Sequence, residues 1–139
     1  MSLDALLTRK AVTAGPKDSL AKAAQLMKEK NVGAVVIVEQ DRPVGIITDR
    51  DLALALSLHG AIPSDPIQSR MMSPVETIRR DEGIYNVTQK MMELAVRRLP
   101  VVNHAGVLVG VVTLDDLIAL LSRELRNVAE GVREEVAVA

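Results

Sequence analysis

An internal duplication constrains the fold of this chain more than any other feature. The segment 45–52 (GIITDRDL) returns at 110–117 (GVVTLDDL), 65 residues further on, with glycine, threonine, aspartate and leucine kept in register. The match extends without a gap into the flanking residues, so that Met27 falls on Met92. The sequence therefore predicts two copies of one structural unit.

Size and composition indicate one body made of both units. A unit of about 60 residues buries only roughly 60% of the surface that its unfolded chain exposes, so each copy gains stability by packing against the other. Hydrophobic residues make up 48% and charged residues 25%, which is typical of globular proteins. With 17 basic and 18 acidic residues, no overall positive charge favours nucleic acid or an anionic membrane surface.

Signals that direct a chain to a membrane or out of the cell are not found. The start, MSLDALLT, has an acid where a signal peptide has a basic flank, and no apolar run approaches the roughly 20 residues that span a bilayer. The chain contains no cysteine, which excludes disulfides and is compatible with a reducing compartment. We therefore expect a cytoplasmic protein that does not insert into a membrane.

Hydrophobic periodicity predicts the same elements in both copies. Apolar residues at helical spacing follow Asp18-Ser19 and stop near Asn31, which indicates a short amphipathic helix. The β-branched segments 34–38 and 44–47, separated by a polar turn, predict a hairpin. The second copy repeats this pattern, with a helix at 84–95 and strands at 99–102 and 107–112.

Short leading strands at 11–13 and 76–78 complete a β-α-β-β-α order in each unit, so the fold class is α/β (α+β). Residues 59–66 are rich in glycine and proline and mark a linker between the units. We divide the chain into repeat 1 (1–60), a linker (61–68), repeat 2 (69–124) and a C-terminal helical extension (125–139).

A Thr-x-x-Asp pair stands at each strand-to-helix junction, formed by Thr48 with Asp51 and by Thr113 with Asp116. One interpretation is structural, because threonine at an N-cap with an acid three residues later resembles a capping box and stabilises a helix by about 0.5–2 kcal/mol. The other is functional, because a helix N-terminus attracts phosphate while a carboxylate accepts both hydroxyls of a ribose. The two interpretations are compatible.

Several features together resemble a known family. They are the duplication, the strand order, Gly-h-h-Thr-x-x-Asp in both copies (h, apolar), and the segment 97–101 (RRLPV) before the second hairpin. Over residues 5–122 the chain resembles the paired cystathionine-β-synthase (CBS) domain, or Bateman module. The resemblance implies two clefts related by pseudo-twofold symmetry. In many members these clefts bind the adenosine part of AMP, ADP, ATP or S-adenosylmethionine, and in others they bind no known ligand. We expect no required cofactor, with AMP, ADP or ATP as the regulatory ligand.

The resemblance also implies that each cleft joins the Thr-x-x-Asp pair of one repeat to the first-strand loop and second strand of the other. The Asp51 cleft would contain Thr48, Arg50, Asp51, Ile78, Arg97, Arg98, Leu99 and Pro100. The Asp116 cleft would contain Thr113, Asp116, Thr13, Ala14, Gly33, Ala34 and Val35. Arginines bind phosphate bidentately, and the positions matching Arg97 and Arg98 in the second cleft are Val32 and Gly33. We therefore expect phosphate at the Asp51 cleft, unless the two arginines are only an exposed basic pair at a helix end.

Binding is favoured over catalysis. His59, Ser64 and Asp65 have the residue types of a hydrolytic triad, but they crowd a linker rich in glycine and proline. Neither a Walker motif nor zinc-ligand spacing occurs. The chain has no Trp or Phe on which unpaired bases could stack, and the one tyrosine, Tyr85, is expected in the core. We therefore expect a protein that is not an enzyme and binds no nucleic acid.

An apolar stripe continues past the last helix of the second copy, at Leu117, Leu121, Leu125, Val128 and Val132. It predicts that this helix extends beyond the module, with a face suited to a homodimer or to packing over the core. Two functions fit these features. The first is a regulatory module that binds an adenine nucleotide and acts on a client protein not identified by the sequence. The second is a ligand-free dimeric adaptor in which Thr-x-x-Asp is only a helix cap.

Overall fold

The computed structural model describes residues 3–7 and 10–138, with side chains up to residue 134. Within these residues, six strands form two three-stranded sheets, and four α-helices accompany them. The elements of repeat 1 are β1 (Thr13–Ala14), α1 (Leu20–Lys30), β2 (Ala34–Glu39), β3 (Arg42–Thr48) and α2 (Asp49–Leu58). Those of repeat 2 are β4 (Ile78–Arg79), α3 (Ile84–Leu94), β5 (Arg98–Val102), β6 (Leu108–Thr113) and α4 (Leu114–Val138). The 3-10 helices Leu3–Leu6 and Ile67–Ser69 precede β1 and β4, respectively.

Both sheets have the same topology, with orders β1-β2-β3 and β4-β5-β6. The first strand of each is parallel to the second, and the second forms an antiparallel hairpin with the third. The predicted β-α-β-β-α order is therefore confirmed in each repeat. The two leading strands begin at Thr13 and Ile78, two residues later than predicted.

The structure shows that the two repeats do not align without a gap, contrary to the sequence-based alignment. Helix α1 lies between the caps Ser19 and Asn31, and α3 lies between the caps Gly83 and Ala95, 64 positions further on. The extra residue that restores an offset of 65 lies in the second hairpin turn. Four residues (39–42) lie between the paired Val38 and Pro43, whereas five residues (103–107) lie between the corresponding pair, Val102 and Leu108.

The match of Met27 with Met92 is consequently wrong. Met27 is buried, and so is Met91, whereas Met92 is 73% exposed. One residue along a helix turns a side chain by about 100°. An alignment shifted by one position therefore exchanges a core residue for a surface residue.

Tyr85 also lies outside the core, contrary to expectation, with 72% of its surface exposed. The buried face of α3 is set by Ile84, Val87 and Met91, which follow the i, i+3, i+7 spacing of a helical stripe. Tyr85 follows Ile84 directly and so points about 100° away from that face.

Each repeat has its own hydrophobic core between its sheet and its helices. The first includes Leu20, Val35, Ile37, Ile47 and Leu52, and the second includes Ile84, Leu99, Val101, Val112 and Leu117. All of them are buried, and full burial of such a side chain contributes roughly 1.5–3 kcal/mol.

The segments that precede the first strand of each repeat, residues 3–7 and 67–71, pack into the core of the opposite repeat, and we call them the exchanged segments. Leu3 is fully buried in the core of repeat 2, and Ile67, 64 positions later, is fully buried in the core of repeat 1. The segment at the end of the predicted linker is thus the second copy of the N-terminal segment. Each repeat thus contributes apolar residues to the core of the other, which links the two cores.

This exchange explains the glycine of the repeated motif. A Cβ atom added at Gly110 would lie 2.8 Å from Cδ2 of Leu7, and one added at Gly45 would collide with Sδ of Met71. Leu7 and Met71 belong to the exchanged segments and are themselves 64 positions apart. Glycine is needed at both positions because a side chain from the neighbouring segment crosses the strand there.

Helix α4 continues to Val138, as the apolar stripe predicted. The corresponding helix of repeat 1, α2, ends at Leu58, shortly before Gly60, which has a φ of +73°. None of the helices described for this chain is long and apolar enough to cross a bilayer.

Candidate functional site

Both Thr-x-x-Asp pairs form capping boxes. Asp51 N donates to Oγ1 of Thr48 over 3.1 Å, and Thr48 N donates to Oδ2 of Asp51 over 2.9 Å. The corresponding distances for Thr113 and Asp116 are 3.1 and 3.3 Å. The structural interpretation of the motif is therefore confirmed. Because each cap uses Oδ2, Oδ1 of each aspartate remains the oxygen that can face a ligand.

A cavity of about 520 Å³ lies between the repeats beside the second capping box, and we call it the inter-repeat cavity. Its volume is in the range usual for small-molecule sites. Repeat 1 and the segment before it line it with Ala5, Leu6, residues 10–12, residues 31–34, Val36 and Ile46. Repeat 2 lines it with Arg98, Val111, Thr113, Asp115, Asp116, Ala119 and Arg123.

The lining changes from apolar to charged. Val36 and Ile46 are 2% and 8% exposed and form an apolar floor, which Val12 and Val111 extend. Charged side chains surround the open side: Lys10, Arg98 and Arg123 are cationic, and Asp115 and Asp116 are anionic. Formal positive charges thus exceed negative ones by one around the cavity. An amphiphilic ligand with an uncharged ring and an anionic group fits this distribution.

Arg98 lies where the two repeats meet. It pairs with Thr113 across the β5–β6 hairpin, which places it beside the start of α4. Its Nη2 lies 3.0 Å from the position that a Cβ atom would occupy at Gly33, and Oδ2 of Asp49 lies 3.4 Å from that same position. The absence of a side chain at Gly33 therefore allows a guanidinium of repeat 2 to reach the backbone of repeat 1.

The position of Arg98 corrects the predicted distribution of charge. We expected both arginines in the Asp51 cleft and none in the other, but Arg98 lines the cavity that contains Asp116. Arg97 is 72% exposed at its side chain, and its Nη2 lies 3.9 Å from Oδ1 of Asp115 in its own repeat. By hairpin pairing, the counterparts of Arg97 and Arg98 are Gly33 and Ala34, not Val32 and Gly33.

The predicted site residues divide between the cavity and other places. Ala34, Arg98, Thr113 and Asp116 line the inter-repeat cavity together. Thr13, Thr48, Arg50, Asp51, Ile78, Arg97, Leu99 and Pro100 do not line it. Ile78 and Leu99 are each 1% exposed and belong to the core of repeat 2, so their side chains are not available to a ligand.

Asp51 lines a smaller cavity of about 360 Å³, at the junction of repeat 1 with the exchanged segment. Its other lining residues are Leu54, Ala55, His59, Ser69, Arg70 and Met71. None of the residues expected from β5 is among them. Nη2 of Arg70 donates to the backbone oxygen of His59 over 3.1 Å, so the arginine that lines this cavity is already hydrogen-bonded.

Lys10, Ala119 and Arg123 line the inter-repeat cavity and were not predicted. Helical periodicity could have identified the last two, because Asp116, Ala119 and Arg123 stand at i, i+3 and i+7 on α4. Lys10 precedes β1 on a segment without regular structure, and no sequence pattern indicates it.

Comparison with known proteins bears directly on these two repeats. A model of the CBS domain family matches residues 3–58 and 66–123, one stretch in each repeat. The chain belongs to the CBS domain family. Among curated relatives of this CBS pair, an uncharacterized protein of Methanopyrus kandleri is 34% identical over 139 residues, which cover 94% of the chain and 71% of the relative. The CBS domain-containing protein YhcV of Bacillus subtilis is 35% identical over 111 residues, covering 80% of the chain and 79% of the relative.

Solved structures of CBS pairs share the fold. The CBS domain pair of protein MJ0100, in complex with 5′-methylthioadenosine and S-adenosyl-L-methionine, is similar with a TM-score of 0.80 and 29% identity. The similarity covers 89% of the chain and 98% of that structure. A CBS domain protein of Pyrobaculum aerophilum complexed with AMP has a TM-score of 0.78 and 26% identity, over 84% and 90% of the two chains.

Proposed function

We propose that this CBS pair is a non-catalytic regulatory module that binds an adenine nucleotide or another adenosyl compound in the inter-repeat cavity. The observation that carries the proposal is the combination, in one cavity, of an apolar floor, the Asp116 carboxylate and three cationic side chains. The adenosyl ligands in the two similar CBS structures support it.

The lining suggests how such a ligand lies. The base packs on the aliphatic floor formed by Val36 and Ile46, because no lining residue is aromatic. The ribose hydroxyls donate to the carboxylate of Asp116, whose Oδ1 is not used by the helix cap. The phosphate lies near Arg98, at the positive end of the α4 dipole.

The proposal places the phosphate in the cavity of Asp116 and not beside Asp51, contrary to the sequence-based expectation. Arg98 lines the former cavity. Asp115 is an acid that would repel a phosphate there, but it lies 3.9 Å from a nitrogen of Arg97. Solvent screens the interaction of Arg97 with Asp115, because both side chains are exposed. The pairing still reduces the repulsion between Asp115 and a bound phosphate.

We also propose that the module forms a homodimer through α4 and transmits its ligand state to a client protein in the cytoplasm. Leu125, Val128 and Val132 are 71%, 63% and 55% exposed on this helix, and with Ile118 and Leu121 they form one stripe. Their spacing of three and four residues is that of a helix pairing with another helix. A ligand that bridges the repeats favours one arrangement of them, and an interface on α4 responds to it.

The alternative is a ligand-free dimeric adaptor, and the two complete capping boxes support it, because the motif then has a purely structural use. Thermal unfolding followed by circular dichroism separates the two functions, with AMP, ADP, ATP with and without magnesium, and S-adenosylmethionine as probes. A ligand at about 100 times its Kd adds about 2.7 kcal/mol of stability and raises Tm by several degrees. Unchanged melting with every probe at millimolar concentration would leave the adaptor as the function.

A further inference from the structure

We propose that Arg123 gives the inter-repeat cavity a preference for adenosyl ligands with two or three phosphates over the monophosphate. This inference rests on the proposed function of the same cavity. Arg123 lies on the second helical turn after Asp116, on the side of α4 that lines the cavity.

The spacing along α4 separates a ribose contact from a distal anion contact. A rise of 1.5 Å per residue puts the Cα atoms of Asp116 and Arg123 about 10.5 Å apart along the helix axis. Helical side chains lean towards the N-terminus, so the guanidinium of Arg123 extends back over Ala119. The small side chain of Ala119 leaves the surface between them open. A phosphate chain that starts at a ribose on Asp116 can therefore lie along the helix.

The α-phosphate and the later phosphates meet different cations. Arg98 pairs with Thr113 and is thus beside the first turn of α4, where a phosphate attached directly to the ribose would lie. Arg123 is two turns away from that point, and only a β- or γ-phosphate extends towards it. The monophosphate therefore uses Arg98, and the longer chains use both arginines.

Two further observations support Arg123 in this role. Within the part of the chain that the structure describes, no carboxylate lies within ion-pair distance of its guanidinium, so the group is available to an anion. The corresponding position of repeat 1 is Leu58, which is 70% exposed at the end of α2. The cation is thus a feature of one repeat and not a consequence of the shared scaffold.

Isothermal titration calorimetry with AMP, ADP and ATP, without magnesium, tests the inference on the full chain. Arg123→Gln should weaken the binding of ADP and ATP by about fivefold, which is the scale of an exposed ion pair. It should weaken the binding of AMP by less than about twofold. Arg126→Gln is the matched control, because it removes the same charge three residues further along α4 from a side chain that does not line the cavity.

Each outcome has one meaning. A larger loss for ADP and ATP than for AMP in Arg123→Gln, with Arg126→Gln unchanged, supports the role of Arg123. Equal losses for all three nucleotides, no loss, or the same loss in Arg126→Gln would overturn it while leaving the proposed function intact. If the unmodified chain binds none of the three nucleotides, the proposed function fails and this inference fails with it.

Discussion

Repeat 1 and repeat 2 have the same scaffold but place different charges where they meet. The hydrogen bond from Gly15 N to Asp18 over 2.8 Å returns as the one from Arg79 N to Glu82 over 2.7 Å, and both capping boxes are complete. At the cavity the repeats differ, because Ala34 of repeat 1 corresponds to Arg98 of repeat 2. A duplicated scaffold thus provides two similar helix starts, and only the second has an arginine paired with its N-cap threonine across the hairpin.

The two repeats also end differently. Helix α2 stops at Leu58, and the chain turns at Gly60 and Pro63 to enter the exchanged segment. Helix α4 has no such turn and continues for 25 residues in all. Because the N-terminal part of α4 lines the cavity and a later part carries the exposed apolar stripe, one rigid element connects the proposed ligand site with the proposed dimer surface.

The largest expected effect tests the register that relates the repeats. Met91→Ala should lower the free energy of unfolding by about 2–5 kcal/mol, because it leaves a cavity in the core of repeat 2. Met92→Ala removes the same atoms from a side chain that is 73% exposed. It should therefore change the free energy of unfolding by less than about 0.5 kcal/mol. Urea unfolding of both variants measures the difference, and similar losses would contradict the 64-residue offset.

The next effect concerns the helix that extends only in repeat 2. Leu125→Asp should raise the Kd of the homodimer by at least about tenfold, since a carboxylate in the centre of the stripe must be desolvated on association. Leu58→Asp is the matched control in repeat 1, with 70% exposure against 71% for Leu125. Sedimentation equilibrium gives both constants. A monomeric unmodified chain, or equal effects of the two substitutions, would contradict dimerisation through α4.

The smallest expected effect is on stability, from the substitution of Asp18 in the loop before α1. The hydrogen bond from the backbone N–H of Gly15 lowers the pKa of Asp18 below its usual value of 3.8, with the ion pair to Lys22 acting in the same direction. A carboxyl whose pKa is lower in the folded state stabilises the fold above its unfolded pKa. That stabilisation is lost as pH falls through the lower, folded value.

Asp18→Asn should therefore cost less than about 1 kcal/mol at neutral pH, because the group is near the surface. The difference from the unmodified chain should disappear on acidification below the folded pKa. Urea unfolding at about pH 7 and about pH 2 measures it. A difference that is equally large at both pH values would show that the charge of Asp18 is not its cause.

Most of the fold could be predicted from local sequence. Helix starts such as Ser19, the two hairpins and the extension of α4 follow from caps and periodicity, and the structure has all of them. The insertion in the second hairpin turn was missed because the repeated motif lies after it. That motif keeps its glycine, threonine, aspartate and leucine in register at an offset of 65, which conceals the offset of 64 before the turn. The exchange of Leu3 and Ile67 between cores depends on tertiary packing, which periodicity does not report.

The candidate site was predicted less well than the fold. The Thr-x-x-Asp pairs identified both helix starts, and Thr113, Asp116, Ala34 and Arg98 do share a cavity. Arg98 was assigned to the Asp51 cleft through the family resemblance; in the structure it lines the cavity of Asp116, with its guanidinium close to Gly33 and to Asp49 of repeat 1. The offset of 65 misplaced only the counterparts of the two arginines in repeat 1. Arg123 was missed because it lies outside the motif, although on the same helical face as Asp116.

Titration of AMP into Asp116→Ala and Asp51→Ala shows directly whether the ligand binds in the inter-repeat cavity, beside the capping box of repeat 2. The two variants are matched, because each removes the carboxylate of one capping box and destabilises one helix start to a similar extent. Asp116→Ala should weaken the binding of AMP by at least about tenfold, and Asp51→Ala should change its Kd by less than about twofold. Loss of binding in Asp51→Ala with binding kept in Asp116→Ala would contradict binding in the inter-repeat cavity.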